Sequence, residues 1–429
     1  MDKNTVTGFI LIALVIIGFS WYSRPSEAEL QEMARQDSIQ QVQQQLEETQ
    51  ALQQQAAAQE AVEKMRTDSA ALFFNHLSGT SENVTLKNEY LEVVFDTKGA
   101  ALKEATILSG SGIKTGKPVQ IADASNQLYM MLSGKHDNID TRNYYFTPTG
   151  KTDSTVTMRL GNEASHLDIN YHLVANSYLV KISMQATGMG SVLHPGTQSM
   201  SINWQDVAAQ QEKGFDFEQQ YSSLTYKEKN GDTDKLSETG EENETMEMPL
   251  EWIAFKNQFF SCILIGHQDF TNATLESTIE QKPNSPVRYE AVLKHYAASM
   301  QTAFDASGSQ ATQMQMYIGP NDFHLLKETN KMGTVKTDLD LEDIIYFGWP
   351  LFKWINRFFI LYLFDWLNGW GLPMGVVLLL LTLVVKVLVY PTTKKSYMSS
   401  AKMRVLKPQI DALNQKYPKQ EDAMKKQQE

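Results

Sequence analysis

The stretch Gly371–Pro391, GLPMGVVLLLLTLVVKVLVYP, constrains this chain more than any other. Between Asp365 and Lys394 it carries a single charge, Lys386. A helix needs about 20 predominantly apolar residues to cross a hydrocarbon core roughly 30 Å thick, and this stretch supplies them. Trp370 and Tyr390 mark its ends, where aromatic rings favour the headgroup level. Pro373 falls in the first turn, where its missing N–H costs little. The sequence therefore predicts a transmembrane helix over 370–391.

Lys386 admits two readings. A lysine at the centre of a span is costly and usually faces a polar cavity or a partner. Alternatively its long stem lets the ammonium snorkel toward the interface near Tyr390, about 6 Å of helix rise away. Thr382 tips the balance toward a cavity. It sits four residues before Lys386, on the same helix face, while Leu378–Leu381 and Leu383–Val385 are all apolar. A polar stripe on an apolar helix predicts a hydrophilic groove inside a helix bundle, with Lys386 and Thr382 lining it.

The rest of the chain is water-compatible. It has 429 residues, a net charge of −12 and 42% hydrophobic residues, with a mean hydropathy of −0.35. The charge is uneven: residues 392–429 hold nine Lys/Arg and four Asp/Glu, or +5, which leaves −17 for residues 1–391. An acidic body argues against nucleic-acid binding. One cysteine, Cys262, excludes an intramolecular disulfide framework and a multi-cysteine zinc site. Neither a metal nor a cofactor is expected.

A second apolar stretch opens the chain, with no charge between Lys3 and Arg24. A cleaved signal peptide is one reading, with Ser26–Glu27–Ala28 as a small-x-small site. The thin basic flank and the Trp21–Tyr22 pair favour a retained signal anchor over 1–23. Residues 24–75 are rich in Gln, Ala and Glu and read as a helical or partly disordered tether; a coiled-coil contact would need sustained heptads, which are absent. Lys394, Lys395, Lys402, Arg404 and Lys407 follow the second span before any acid, which marks a cytoplasmic flank. With two spans, the amino terminus is cytoplasmic too, and residues 24–343 lie in a periplasm-like space.

Residues 76–325 read as one all-β domain, a large sandwich. Short runs such as QLYMML (127–132), NYYFTP (143–148), TVTMRL (155–160), DINYHLV (168–174), SMSINW (199–204), FFSCILIG (259–266), ATLESTI (273–279), VRYEAVL (287–293) and MQMYIG (314–319) are spaced by Gly, Asn and Asp. A hairpin turn is expected at Lys98–Gly99, and the acidic stretch 227–248 should be a mobile loop. Eight histidines are scattered through the chain. His166 and His172 share strand parity, but no Cys/His cluster or nucleophile motif accompanies them, so no catalytic residue is assigned.

Residues 326–343 read as a polar linker. Residues 344–369 are aromatic-rich but carry Lys353, Arg357 and Asp365, so they are expected to lie in the outer interface as an amphipathic helix rather than to span. In 392–429, Met403, Leu406, Ile410, Leu413 and Tyr417 step by a/d spacing, interrupted at Pro408. This basic helical arm ends at Glu429 with no return helix, so the natural chain is expected to continue.

Taken together, LTLVVKVLVYPTTKKSYMSSAKMRVLKPQI (381–410), EWIAFKNQFF (251–260) and YIGPNDFHLL (317–326) resemble the YidC/Oxa/Alb family of membrane protein insertases, in its bacterial YidC type. The resemblance implies a β-supersandwich similar to galactose mutarotase for the periplasmic domain. It implies a non-enzymatic insertase and chaperone of the bacterial inner membrane, working on nascent membrane proteins with or without the Sec translocon. It places Lys386, where many relatives carry arginine, in a water-filled groove, and Thr382 on the same stripe. The basic arm then resembles the first half of a cytoplasmic hairpin that meets nascent chains, the ribosome and targeting factors in the lipid environment. Two rival readings stay open at this point: a membrane-tethered periplasmic carbohydrate-binding or sugar-converting domain, and a structural subunit of an envelope complex.

Overall fold

The computed structural model describes residues 73–111, 118–123, 125–212, 214–282, 291–332, 339–348 and 350–416. The expected signal anchor (1–23), nearly all of the tether (24–75) and the end of the basic arm (417–429) lie outside the described residues. The chain divides into two compact units, Met1–Glu342 and Asp343–Glu429.

The first unit is built on alternation of apolar and polar residues. Strands β1 (Asn83–Lys87), β2 (Leu91–Asp96), β3 (Ala101–Ser111) and β4 (Pro118–Ala122) form a four-stranded antiparallel sheet in that order. On β2, Leu91, Val93 and Phe95 point inward while Glu92, Val94 and Asp96 are half-buried, the period-two pattern of a half-buried strand. The expected turn at Lys98–Gly99 is present: Gly99 and Ala100 take φ of 78° and 51°, the left-handed region that closes the β2–β3 hairpin.

Asn88 ties this sheet to the rest of the domain. Its Oδ1 accepts from the Tyr90 and Leu91 amides (2.8 and 2.7 Å), and its Nδ2 donates to the Val174 and Ser177 carbonyls (both 2.8 Å). Replacing Asn88 with Ala should cost about 2 kcal/mol, because four backbone groups lose their partner at once. A denaturant midpoint unchanged from wild type would contradict that role.

The remaining strands are β5 (Gln127–Leu132), β6 (Ile139–Asp140), β7 (Thr147–Thr149), β8 (Thr155–Gly161), β9 (His166–Leu173) and β10 (Leu179–Thr187). They continue with β11 (Ser199–Ala209), β12 (Ser223–Glu228), β13 (Thr233–Lys235), β14 (Glu242–Thr245), β15 (Leu250–Lys256), β16 (Phe260–Ile279), β17 (Val292–Ala303) and β18 (Thr312–Pro320). Their path runs β6-β5-β11-β17-β16-β18-β10-β9-β8-β7, with β12 and β15 joined beside β16, β13 beside β12, and β14 beside the far half of β16.

β16 explains how one path makes two layers. Its first half, Phe260–Gly266, pairs with β18, while its second half, Thr274–Ile279, pairs with β17 and β14. Between them the register breaks: Gly266 approaches so closely that a Cβ there would sit 2.3 Å from the Gln268 carbonyl, and Asn272 adopts φ 49°. FFSCILIG and ATLESTI, expected as separate strands, are therefore one strand with an irregularity where a turn was expected. Such bulges bend a strand from one sheet into the next. The two layers meet at Trp204 of β11, stacked 3.7 Å from Phe255 of β15, which in turn lies 5.2 Å from Tyr296 of β17. Phe95 stacks at 4.0 Å on Tyr171 of β9, docking the four-stranded sheet on the same core.

Three further expectations change. The stretch 227–248 is not a bare loop: β13 and β14 fall inside it, anchored by buried Leu236 and Met246. Its charged composition hid those two apolar plugs. NYYFTP is not one strand, because Asp140 caps a 3-10 turn at Thr141–Asn143 and β7 starts only at Thr147. The polar stretch 326–343 carries structure at both ends. Helix α2 (Phe323–Thr329) follows a shorter α1 (Phe215–Gln220) in chain order, and is capped by Asp322 through the His324 and Leu325 amides. Leu339 and Leu341 are fully buried, with Trp252 Nε1 donating to the Leu339 carbonyl at 2.8 Å.

The second unit is helical. It comprises α3 (Pro350–Ile355), a π-helical turn (Asn356–Ile360), α4 (Leu361–Asn368) and the 43-residue α5 (Met374–Lys416). Span and arm, read separately from the sequence, are one continuous helix that passes through both Pro391 and Pro408. Each proline removes one backbone hydrogen bond, and the flanking turns keep theirs. At 1.5 Å per residue α5 is about 65 Å long, roughly twice the hydrocarbon thickness. Among the described residues it is the one helix long and apolar enough to cross a membrane.

Candidate functional site

One exposed face of α5 collects Leu378, Leu379, Thr382, Leu383, Lys386, Val387 and Tyr390. The 3.6-residue repeat puts Thr382 and Lys386 one turn apart on that face, as the sequence requires. The Thr382 hydroxyl donates to the Leu378 carbonyl at 2.8 Å, so its polarity is absorbed by its own helix. Lys386 is exposed and makes no ion pair or hydrogen bond among the described residues. Lys394, Lys395, Lys402, Arg404 and Lys407 are all exposed further along the same helix. Met403 and Leu406, the first two members of the expected seam, are also exposed.

The histidines of the β domain are scattered, and most of them, His136, His172, His194, His295 and His324, are exposed. His166 is buried, with Nδ1 2.8 Å from the Asn162 carbonyl and Nε2 3.6 Å from Asp168, whose carboxylate is gripped by Arg159. His172 shares its strand and parity but is exposed. Among the described residues no group of three His, Cys, Asp or Glu side chains could hold a metal ion.

Sequence reasoning missed a set of buried titratable groups. Asp206 faces the interior of the sandwich at 6% exposure. Its carboxylate accepts from Asn126 Nδ2 at 2.7 Å, from the Val207 amide at 2.8 Å and from Ser125 Oγ at 3.1 Å. Burial nevertheless pushes it up to about 7, because desolvation penalises the charged form. Burial likewise pulls Lys256 and Lys294 down to about 8. Lys294 Nζ donates to the Glu238 carbonyl at 2.9 Å, and no carboxylate contacts it among the hydrogen bonds and ion pairs of the described residues. The signal was parity: Asp206 continues the inward series Met200, Ile202, Trp204, and Lys294 continues Met300, Ala298, Tyr296.

Comparison with known proteins decides the family. Residues 83–362 match the model of the YidC periplasmic domain, and residues 366–429 match that of the 60Kd inner membrane protein. A membrane protein insertase YidC of Phocaeicola vulgatus is 48% identical over the whole chain, which spans 68% of that relative. The chain belongs to the YidC family of membrane protein insertases. A YidC-family relative from Bacteroides fragilis is 44% identical over the whole chain, again covering 68% of the relative. The crystal structure of YidC from Thermotoga maritima is similar over 77% of this chain and 75% of that one, at 12% identity and a TM-score of 0.33. Family membership places the β domain among periplasmic domains and the helical unit in an inner membrane protein. For this YidC-family chain, the face carrying Lys386 is the candidate site.

Proposed function

We propose that Lys386 is the positive charge of a hydrophilic groove through which this chain helps hydrophobic segments enter the inner membrane. The observation that supports this reading is a lone ammonium, without an ion pair among the described residues, one turn from a hydroxyl on an otherwise apolar helix face. A cation kept there is costly unless water or a partner reaches it. An acidic or polar segment of a passing substrate is the partner that the charge fits. In this reading the groove is completed by helices beyond those described, and no bond is made or broken.

The topology we assign puts residues 24–343 in the periplasm and both the amino terminus and 392–429 in the cytoplasm. The cluster Lys394, Lys395, Lys402, Arg404 and Lys407 supports that orientation, since basic flanks stay inside. Residues 344–369 then lie in the outer interface, where their exposed aromatic side chains meet headgroups. The exposed basic arm is the surface we assign to nascent chains, the ribosome and targeting factors, with the Sec translocon as a lateral partner. In this reading the β domain is a non-catalytic part of the insertase.

Reconstituting the full-length protein in liposomes tests the reading. Insertion of a single-span substrate, scored by protease protection, should depend on the protein. A maleimide that cannot cross membranes should label cysteines placed at 397 only from the cytoplasmic side. Labelling from the periplasmic side would overturn the topology, and insertion equal to empty liposomes would overturn the function.

A further inference from the structure

Two charges of the aromatic segment, Lys353 and Arg357, are tied to its own lead-in. Lys353, Asn356 and Arg357 fall at i, i+3 and i+4, one stripe of the segment that begins with α3. All three turn back on the residues that lead into it. Lys353 Nζ donates to one oxygen of Asp343 at 2.9 Å and Arg357 Nη1 donates to the other at 2.7 Å. Asn356 Nδ2 donates to the Phe347 carbonyl at 3.0 Å. The polar stripe is thus covered by the segment's own lead-in.

The outward side chains are apolar. Leu351, Phe352, Trp354, Phe358, Tyr362 and Trp366 are each exposed by half or more, whereas Lys353, Asn356, Arg357 and Asp365 are only partly so. A soluble amphipathic helix shows the reverse arrangement. An exposed face of this kind requires an apolar cover, and charges beside it raise the cost of entering lipid unless they are paired. The π-helical turn begins at Asn356, within this knot of contacts. Widened turns of this kind concentrate where a helix is deformed for function.

We propose that Asp343 is the counter-ion that holds Lys353 and Arg357 against the lead-in, so that the aromatic face of residues 350–368 enters the membrane interface with one of those two positive charges balanced. Asp343 is a positioning residue: it acts through the two cations and touches no substrate. The inference rests on the interfacial placement of 344–369 given under the proposed function.

The test uses the full-length protein in phosphatidylcholine–phosphatidylglycerol vesicles with brominated acyl chains. Cys262→Ser removes the native thiol, and Phe358→Cys carries an environment-sensitive fluorophore. Bromine should quench the probe in the parent protein. Asp343→Asn should reduce that quenching about twofold or more, since Lys353 and Arg357 then lose the carboxylate they share. Asp343→Glu and the neutral triple variant Asp343→Asn/Lys353→Gln/Arg357→Gln should both keep parental quenching. Quenching by Asp343→Asn equal to the parent overturns the counter-ion role alone. A triple variant that loses as much as Asp343→Asn also overturns it, because the carboxylate then matters for shape and not for charge. A parent that is not quenched removes the interfacial placement and the role together.

Discussion

Lys386→Glu in the full-length protein should lower insertion of a substrate with an acidic translocated tail by about tenfold or more, and Lys386→Ala should fall between it and wild type. An ammonium and a carboxylate about 6 Å apart, at an effective dielectric constant of 20, attract by roughly 3 kcal/mol. Removing that attraction lowers occupancy of the charge-engaged state by up to about a hundredfold, and reversing the charge adds repulsion of similar size. Lys386→Arg keeps the charge and should insert normally. A substrate with a neutral tail should respond less to all three changes. The measurement is protease-protected substrate in proteoliposomes. Wild-type insertion of the acidic-tail substrate by both Lys386→Ala and Lys386→Glu would sink the groove role.

Asp206→Asn should make the β domain more stable at pH 8, and its effect should vanish in acid. The folded state holds the Asp206 proton up to about pH 7, against an ordinary carboxylate value of 3.8. Between those values the folded state binds more protons than the unfolded one, so wild-type stability falls as pH rises through that window and stays flat above it. Roughly three pH units at 1.36 kcal/mol each sets a loss of up to about 4 kcal/mol. Asparagine has the same shape and no charge to desolvate. Asn126 Oδ1 has no hydrogen-bond partner among the described residues, and an amide at 206 offers it a donor. Lys256 and Lys294 act in the opposite sense: their depressed values make stability rise between about pH 8 and 10.5. Denaturant titrations at pH 5 and pH 8 check the claim. A variant with the wild-type pH slope, or one less stable at pH 8, would refute it.

Both predictions depend on residues whose legibility differed. Lys386 and Thr382 stood out because an apolar run makes any polar residue conspicuous, and helical periodicity alone places them on one face. Asp206 did not stand out. A single acid in an alternating strand is ordinary until the opposite layer is known, and only in the packed sandwich is Asp206 buried at 6% exposure. The same holds for Lys353 and Arg357. Their i,i+4 spacing was legible, yet Asp343, ten and fourteen residues earlier, became their partner only through the turn that folds the lead-in back.

The sequence by itself determined the apolar helix, the all-β character of the acidic body, the hairpin at Gly99 and the family, because composition, period and motif are local properties. Tertiary structure alone decided that FFSCILIG and ATLESTI are one strand shared by two sheets, and that the acidic stretch 227–248 carries β13 and β14. It also decided which charged side chains lost their water. Pairing partners and burial depend on residues distant in the chain, and the desolvation that moves a proton or joins two cations to one carboxylate exists only once those residues have met.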